Sequence, residues 1–215
     1  MLCIFLAETT ALEPVFDAAL TLAPPARRAH VLRLRQPEEQ RRSLAAGLLL
    51  RAFLGVERDE QLVYGPVGKP ALAAGGPEFS LSHSGNYAAL AVSDRPVGID
   101  LEQVRSFPDA VFRRQFSPAE QDWAGADDLR RFLVWTRKEA LMKADGAGLT
   151  LEAAALPALP EGDGAVTVGG VRRYFSALQY DGHAVSLAAE TPEAPAFTLC
   201  SAAQLLKGAC HGTGA

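Results

Sequence analysis

The sequence predicts an α+β protein made of two similar halves. Alternating apolar residues over 77–93 indicate strands, whereas the segments 10–55 and 107–148 have the spacing of amphipathic helices. A short pattern from the first strand region recurs towards the C-terminus, which indicates that one α+β unit occurs twice.

The recurring pattern is a turn of small residues followed by a strand with alternating apolar positions. It occurs as 84-SGNYAALAVS-93 and again as 181-DGHAVSLAAE-190. Because no low-complexity linker lies between the two copies, we expect tightly packed halves that meet near residue 95. These are an N-terminal half over residues 1–95 and a C-terminal half over residues 96–215.

Turn and helix-start residues define the elements of the N-terminal half. The apolar opening 1-MLCIFLAE-8 lacks a basic start and is too short for a signal peptide, so we expect it to form the first strand. Helices are expected to begin at Pro24 and near Pro37, and the second is expected to end before Gly55. Two strands then flank a turn at residues 84–86.

In the C-terminal half, a strand over 97–102 precedes a helical region. The capping box 117-SPAE-120 is typical of a helix start, and Gly146 and Gly148 are expected to end the last helix of this region. The rest of the chain is predicted to form mainly short strands.

Composition excludes several functional classes. A chain of 215 residues with 48% hydrophobic content can bury a sizeable core, and its net charge of −4 argues against a nucleic-acid-binding protein. No apolar run reaches membrane-spanning length. The three cysteines, Cys3, Cys200 and Cys210, form no C-x-x-C pair, so neither a disulfide framework nor a zinc site is expected. These features are typical of a cytoplasmic protein.

The stretch 97-VGIDLEQVR-105 carries two acidic residues on one face of a predicted strand. Asp100 and Glu102 are separated by a single residue, so both point to the side opposite Ile99 and Leu101. Water could screen their repulsion at an exposed strand. Alternatively, the two carboxylates are ligands of a hard divalent cation, which requires a third oxygen ligand elsewhere in the chain.

A candidate for the third ligand lies on the helix that contains 135-WTRKEALMK-143. Trp135, Glu139 and Lys143 are four residues apart and share one face of this helix. Glu139 and Lys143 would form an ordinary solvated pair on a surface helix. The bulky apolar residues around them indicate partial burial instead, where each charge needs a partner. A bound metal ion would compensate the charge of Glu139, and an anion held by that metal would compensate the charge of Lys143.

Together, these motifs resemble those of 4′-phosphopantetheinyl transferases of the long, surfactin-synthetase-activating (Sfp) type. The family pattern joins a strand, here Gly98–Glu102, to a helix about forty residues later, here Trp135–Lys143. The motifs Gly68-Lys69-Pro70 and Ser82-His83-Ser84-Gly85 also match in the same order. The resemblance implies a monomeric pseudo-dimer of two α+β halves with the active site at their interface, because the shorter, single-half members trimerise.

The resemblance also implies a reaction. The family transfers 4′-phosphopantetheine from coenzyme A to a serine of an apo acyl or peptidyl carrier protein and releases adenosine 3′,5′-bisphosphate. By this resemblance Asp100, Glu102 and Glu139 hold Mg²⁺, which suits pyrophosphate oxygens. By the same resemblance Glu139, or a water that it orients, is also the candidate base, and Lys143 stabilises the bridging or departing phosphate. Asp100 and Lys143 are thereby expected to serve both in catalysis and in holding coenzyme A.

Further residues are implied to bind the nucleotide end of coenzyme A. Arg42 is placed at the 3′-phosphate, since a guanidinium offers two parallel hydrogen bonds to phosphate. The sequence leaves a second contact open between Arg27 and Arg28. The matching motifs assign the remaining nucleotide contacts to Lys69, Pro70, Ser82 and His83.

The carrier protein is expected to dock near Gln103–Phe116, which begins one residue after Glu102. This segment mixes apolar residues with arginines, and carrier domains of this kind present an acidic helix beside their serine. An ordinary amphipathic helix with solvated arginines would have the same composition.

Two other functions remain open. One is a different Mg²⁺-dependent, pyrophosphate-cleaving transferase, although no Walker loop occurs, and the other is a catalytically silent carrier-binding module.

Overall fold

The computed structural model describes residues 1–146 and 153–207, so Gly148 and Cys210 lie outside the described residues. Within these ranges, the strands are β1 (Leu2–Glu8), β2 (Leu62–Tyr64), β3 (Pro70–Leu72), β4 (Glu78–Ser84), β5 (Tyr87–Ser93), β6 (Val97–Gln103), β7 (Ala165–Val168), β8 (Val171–Tyr180), β9 (His183–Ala189) and β10 (Ala196–Cys200). The α-helices of the same ranges are α1 (Phe16–Thr21), α2 (Pro25–Arg33), α3 (Pro37–Leu54), α4 (Asp109–Gln115), α5 (Pro118–Ala124), α6 (Asp128–Asp145) and α7 (Ala202–Lys207).

Two four-stranded sheets organise the molecule and confirm the α+β prediction. The first has the order β10-β1-β5-β4 and the second the order β6-β9-β8-β7. The two recurring sequence patterns form β5 and β9, each of which is an interior strand of its own sheet and fully buried. Their alternating apolar residues therefore mark equivalent positions in two similar units.

The end of the chain returns to the first sheet. Strand β10 pairs in parallel with β1, and Cys200 and Leu205 join the buried cluster beneath α3. Residues 196–207 thus pack on the sheet formed mainly by the N-terminal part of the chain. The division of the chain into a half over residues 1–95 and a half over residues 96–215, each with its own ligand-binding residues, stays a prediction.

Helix α3 packs its apolar side on the first sheet. It begins at Pro37 and ends at Leu54, and the following Gly55 has a φ of 66°, which gives the left-handed turn that closes many helices. Leu44, Leu48 and Leu49 are fully buried in the same cluster as Leu90 of β5. This packing fixes the orientation of the polar face of the helix, which carries Arg42.

Helix α6 lies directly against β6. A β-carbon on Gly98 would come within 1.9 Å of the Ala140 carbonyl oxygen and 2.5 Å of the Ala144 amide nitrogen, so only glycine allows this approach. A buried hydrogen bond of 2.7 Å joins Thr136 Oγ1 to Ser186 Oγ of β9. The close contact brings the charged residues of α6 beside the acidic face of β6.

Three serine side chains join the two sheets. Ser80, Ser82 and Ser84 alternate along the edge strand β4 and accept hydrogen bonds from backbone amides of β6. The amides of Ile99, Leu101 and Gln103 donate these bonds at 3.1, 3.2 and 3.2 Å. The side chains of β4 thus satisfy the unpaired amides of the edge strand β6, which would otherwise lack partners.

No helix in the described part of the chain is long and apolar enough to cross a membrane.

Candidate active site at the junction of the two sheets

The serine side chains that join the sheets also bind the acidic residues. Ser82 Oγ donates to Asp100 Oδ1 at 2.8 Å, and Ser84 Oγ donates to Glu102 Oε2 at 2.7 Å. Each serine therefore accepts from the backbone of β6 and donates to a carboxylate of the same strand. Asp100 and Glu102 thus lie on one face of β6, and each is hydrogen-bonded to a serine of β4.

Helix α6 adds a cation and a third carboxylate to this face. Lys143 Nζ lies 2.6 Å from Asp100 Oδ1 and 3.2 Å from Ser82 Oγ. Glu139 precedes Lys143 by one helical turn, and both side chains line one cavity of about 410 Å³ with Asp100 and Glu102. Four residues predicted from two separate motifs therefore come together, and Ser82 and His83 line the same cavity.

Burial changes the acidity of two of the carboxylates. Partial removal from water raises the pKa of Glu139, and the neighbouring charge of Asp100 raises this pKa further. Burial also raises the pKa of Glu102; a hydrogen bond from Ser84 opposes the shift, while Asp100 adds to it. Asp100 is the shared neighbour of both groups, as expected for three carboxylates that face one another.

The donor set fits a magnesium ion. Asp100 Oδ2 is buried and has no hydrogen-bond partner within the described residues, so an oxygen ligand remains available. Across residues 1–146 and 153–207, no three His, Cys, Asp or Glu side chains are placed so that they could hold a metal ion together. A complete cage is not required, since Mg²⁺ is usually held by one or two carboxylates together with water and substrate phosphate.

A second cavity of about 550 Å³ adjoins the first and is rich in cations. Arg27, His30, Arg42 and His83 line it, together with the turn at Gly85. Arg42 Nη1 donates to the Gly85 carbonyl oxygen at 3.0 Å, which fixes its guanidinium beside this turn. Arg27 and His83 border both cavities, so the cationic and acidic regions adjoin each other.

His83 lies among several of these cations. Partial removal from water lowers the pKa of its imidazole, and the nearby Arg42, Lys143 and Arg27 lower it further. The same cations that disfavour a charged imidazole would favour a bound anion.

The structure distinguishes the two arginines that the sequence left open. Arg28 Nη2 donates to the carbonyl oxygens of Thr21 and Ala23 at 2.8 and 3.2 Å, so its guanidinium is used at the end of α1. Arg27 instead faces both cavities. The sequence interpretation did not include His30, although its position three residues after Arg27 places both on one helix face.

Lys69 and Pro70 lie away from these two cavities. Lys69 Nζ lies 3.4 Å from the carbonyl oxygens of Val97 and Ala144, at the C-terminal end of α6. Burial lowers the pKa of this amine. Pro70 begins β3 and pairs with Tyr64. The structure thus brings Arg42, Ser82 and His83 together, while the expected contact of Lys69 and Pro70 with the nucleotide stays a prediction.

Sequence reasoning also missed a buried ion pair beside the site. Lys138 is fully buried, and its Nζ lies 2.9 Å from Glu120 Oε2 and donates to the carbonyl oxygens of Ala153 and Leu156 at 2.8 and 2.6 Å. Glu120 forms the predicted capping box with Ser117 as well. Lys138 lies within the helix motif, but only the tertiary structure reveals that it points away from Glu139 and into the core.

Comparisons with known proteins agree with this geometry. Residues 96–191 match the model of the 4′-phosphopantetheinyl transferase superfamily. A putative 4′-phosphopantetheinyl transferase of Synechocystis sp. is 33% identical over 134 residues, which are 55% of this chain and 54% of that protein. HetI of Nostoc sp., a 4′-phosphopantetheinyl transferase, is 38% identical over 130 residues, 53% of this chain and 55% of that protein.

A longer alignment is found with Sfp of Bacillus subtilis, also a 4′-phosphopantetheinyl transferase. It is 26% identical over 162 residues, which are 69% of this chain and 71% of that protein. The chain otherwise spans about half the length of the first curated relatives it matches. The matched region contains both the strand with Asp100 and Glu102 and the helix with Glu139 and Lys143. Residues 96–191 are thus similar to the 4′-phosphopantetheinyl transferase superfamily, and the chain resembles these relatives over part of its length.

Proposed function

We propose that this protein transfers 4′-phosphopantetheine from coenzyme A to a serine of an apo acyl or peptidyl carrier protein, releasing adenosine 3′,5′-bisphosphate. One observation carries the proposal: a cavity with three carboxylates and Lys143 adjoins a cavity lined by arginine and histidine. Coenzyme A presents a pyrophosphate and a separate 3′-phosphate, which match two such neighbouring regions. The names of the relatives support the same reaction.

Asp100, Glu102 and Glu139 are the residues that would hold Mg²⁺. When bound, this ion supplies positive charge to pyrophosphate oxygens and so favours attack at phosphorus. The available Oδ2 of Asp100 and the clustered carboxylates support this assignment.

The chain's own side chains account for the proton and the leaving group. The serine oxygen of the carrier forms a bond to phosphorus while the bond from that phosphorus to the bridging oxygen breaks. The serine proton passes to the Glu139 carboxylate or to a water that Glu139 orients, since Glu139 lines the same cavity as Lys143 and Asp100. Lys143 balances the charge on the departing adenosine 3′,5′-bisphosphate, and Asp100 orients Lys143 through their 2.6 Å contact.

The cationic cavity would bind the 3′-phosphate of coenzyme A. We assign this phosphate to Arg42, His83 and Arg27, with His30 at the border. Arg42 is supported by its fixed position at the Gly85 turn, and Arg27 by its place between the two cavities. Ser82 would contribute through Lys143 and Asp100, to which it is hydrogen-bonded. Lys69 and Pro70 are kept as the proposed neighbours of the adenine.

The proposed carrier-docking segment remains Gln103–Phe116. Within it, Phe107 and Phe116 are buried and pack against each other, so they support the segment from inside. Arg113 is exposed at 77% of its side-chain surface on α4, and Arg105 lines the cationic cavity. An acidic helix of a carrier protein would meet the exposed arginines there. The monomeric state and cytoplasmic location expected from the sequence belong to this proposal as well.

A single experiment separates this function from the two alternatives. The protein is incubated with coenzyme A, Mg²⁺ and an apo carrier protein, and the carrier is weighed by mass spectrometry. A mass gain of one phosphopantetheine group supports the proposal. Cleavage of the pyrophosphate without carrier modification would indicate a different transferase, and carrier binding without any reaction would indicate a silent module.

A further inference from the structure

Helix α3 contains a glycine near its middle. Gly47 lies ten residues after the first residue of the helix and is buried. A glycine in a helix interior lowers stability relative to alanine, because it loses more backbone freedom on folding. A buried position would normally hold alanine, like its neighbours Ala45 and Ala46, unless a β-carbon would interfere with something.

The group that would be disturbed is the side chain of Arg27. A β-carbon at Gly47 would lie 3.1 Å from Arg27 Cγ, 3.4 Å from Cδ and 3.5 Å from Nε, and these are its three nearest neighbours. Carbon atoms in optimal contact are about 3.5–4.0 Å apart, so the first of these distances is too short. The aliphatic part of the Arg27 side chain therefore occupies the space that a side chain at position 47 would need.

The surrounding face of α3 shows where this contact directs Arg27. Ser43, one helical turn before Gly47, lines the cationic cavity, and the adjacent Ala46 lines the acidic cavity. Arg27 borders the same two cavities. Its side chain thus packs on α3 at Gly47 and lines the same cavity as Arg42 and His83.

We propose that Gly47 is a positioning residue for coenzyme A, because its missing β-carbon lets Arg27 lie across α3 and present its guanidinium to the 3′-phosphate. This inference rests on the proposed function. Gly47 itself touches no part of the substrate; it acts through Arg27. A purely structural role of Gly47 in packing α2 on α3 would instead affect stability and all ligands alike.

The test compares two ligands that differ only in the 3′-phosphate. Gly47→Ala is expected to weaken coenzyme A binding about three- to tenfold, part of the loss expected for a hydrogen bond to a charged group, while 3′-dephospho-coenzyme A binds as before. Isothermal titration calorimetry measures both affinities. The thermal midpoint is expected to stay equal or to rise, because alanine favours the helix. An equal loss for both ligands would overturn the proposal.

A double-mutant cycle with Arg27→Ala removes the remaining ambiguity. If Gly47 acts through Arg27, adding Gly47→Ala to Arg27→Ala leaves the affinity for coenzyme A unchanged. A further loss in this background would contradict the proposal. If the alanine variant folds poorly, Arg27→Ala alone must still weaken coenzyme A binding and spare 3′-dephospho-coenzyme A, and its failure to do so would contradict the proposal. Failure of the proposed function is separately visible, since the wild-type protein would then fail to modify an apo carrier protein.

Discussion

Lys143 Nζ and Asp100 Oδ1 lie 2.6 Å apart and join helix α6 to strand β6 at the junction of the two sheets. Asp100 is almost fully buried, whereas Lys143 keeps 31% of its side-chain surface exposed to the cavity. The lysine therefore compensates the buried carboxylate and still faces the space in which a substrate phosphate would bind. A single ion pair connects the two motifs that carry the predicted chemistry.

Replacing Asp100 with asparagine should abolish most of the transfer without unfolding the protein. An asparagine side chain has nearly the same shape, but it lacks the charge that orients Lys143 and would bind a metal poorly. We expect carrier modification to slow by about 100-fold or more, since outer partners of a metal site alone contribute about 10- to 100-fold. The rate is measured by mass spectrometry, and circular dichroism verifies the fold. Full activity of Asp100→Asn would contradict the assigned role of this carboxylate.

The two neighbouring arginines of α2 should behave differently. Arg27→Ala is expected to weaken coenzyme A binding by about 1.5–3 kcal/mol, the scale of a hydrogen bond to a charged group, and to spare 3′-dephospho-coenzyme A. Arg28→Ala is the matched control, because Arg28 is hydrogen-bonded to Thr21 and Ala23 away from the cavities. Calorimetric titration of each variant with both ligands decides the assignment. An effect of Arg28→Ala as large as that of Arg27→Ala would show that the chosen arginine is wrong.

Glu139 should make stability depend on pH in a defined direction. Because its pKa is raised in the folded protein, the folded state binds the proton more tightly than the unfolded state does. The ionised side chain thus destabilises the metal-free protein at neutral pH, and this penalty disappears when the group is protonated in both states. Glu139→Gln is expected to raise the thermal midpoint at about pH 7.5, and the difference should vanish below about pH 4.

The same measurement needs an exposed carboxylate for comparison. Glu193 lies on the surface, and Glu193→Gln should change the midpoint little at either pH. A Glu139→Gln variant less stable than the wild type in metal-free buffer at neutral pH would mean that Glu139 stabilises the fold through contacts other than those described. Chelator is included in every sample so that bound cations do not alter the charge balance.

Gly98 should tolerate no side chain. Gly98→Ala would force its β-carbon towards the backbone of Ala140 and Ala144, which cannot move aside as a flexible side chain does. We expect a loss of about 1–3 kcal/mol or more in the free energy of unfolding, measured by denaturant titration, because overpacking strains a closely packed interface. Gly162→Ala is the control, since a β-carbon there meets nothing within 4 Å. Equal stabilities of the two variants would show that α6 is not held against β6 as described.

The exposed arginine of α4 offers a test of carrier docking. Arg113→Glu should raise the KM for the carrier protein and leave the affinity for coenzyme A unchanged, because Arg113 lies outside both cavities. The effect should shrink as salt is added, as is typical of screened surface charges. Arg105 is less suitable for this purpose because it lines the cationic cavity. An unchanged carrier KM at low salt would move the docking surface elsewhere.

Local periodicity determined much of the candidate site. A strand places Asp100 and Glu102 on one face, and a helix places Glu139 and Lys143 on one face. Both placements are independent of the tertiary structure. The capping box at Ser117 and the recurring strand pattern of β5 and β9 are local signals of the same kind. These predictions depend on residues close together in the chain, so the sequence alone contains the necessary information.

Contacts between distant segments were decided only by tertiary packing. The sequence does not reveal that Ser80, Ser82 and Ser84 would bind the edge of β6, that Arg27 rather than Arg28 faces the cavities, or that β10 returns to β1. The helical periodicity of the sequence also does not predict that Lys138 is buried in an ion pair with Glu120. Its neighbour Glu139 lines the active-site cavity instead. Each of these contacts joins groups that the chain holds far apart, and their partners are selected by the close packing of helices on sheets.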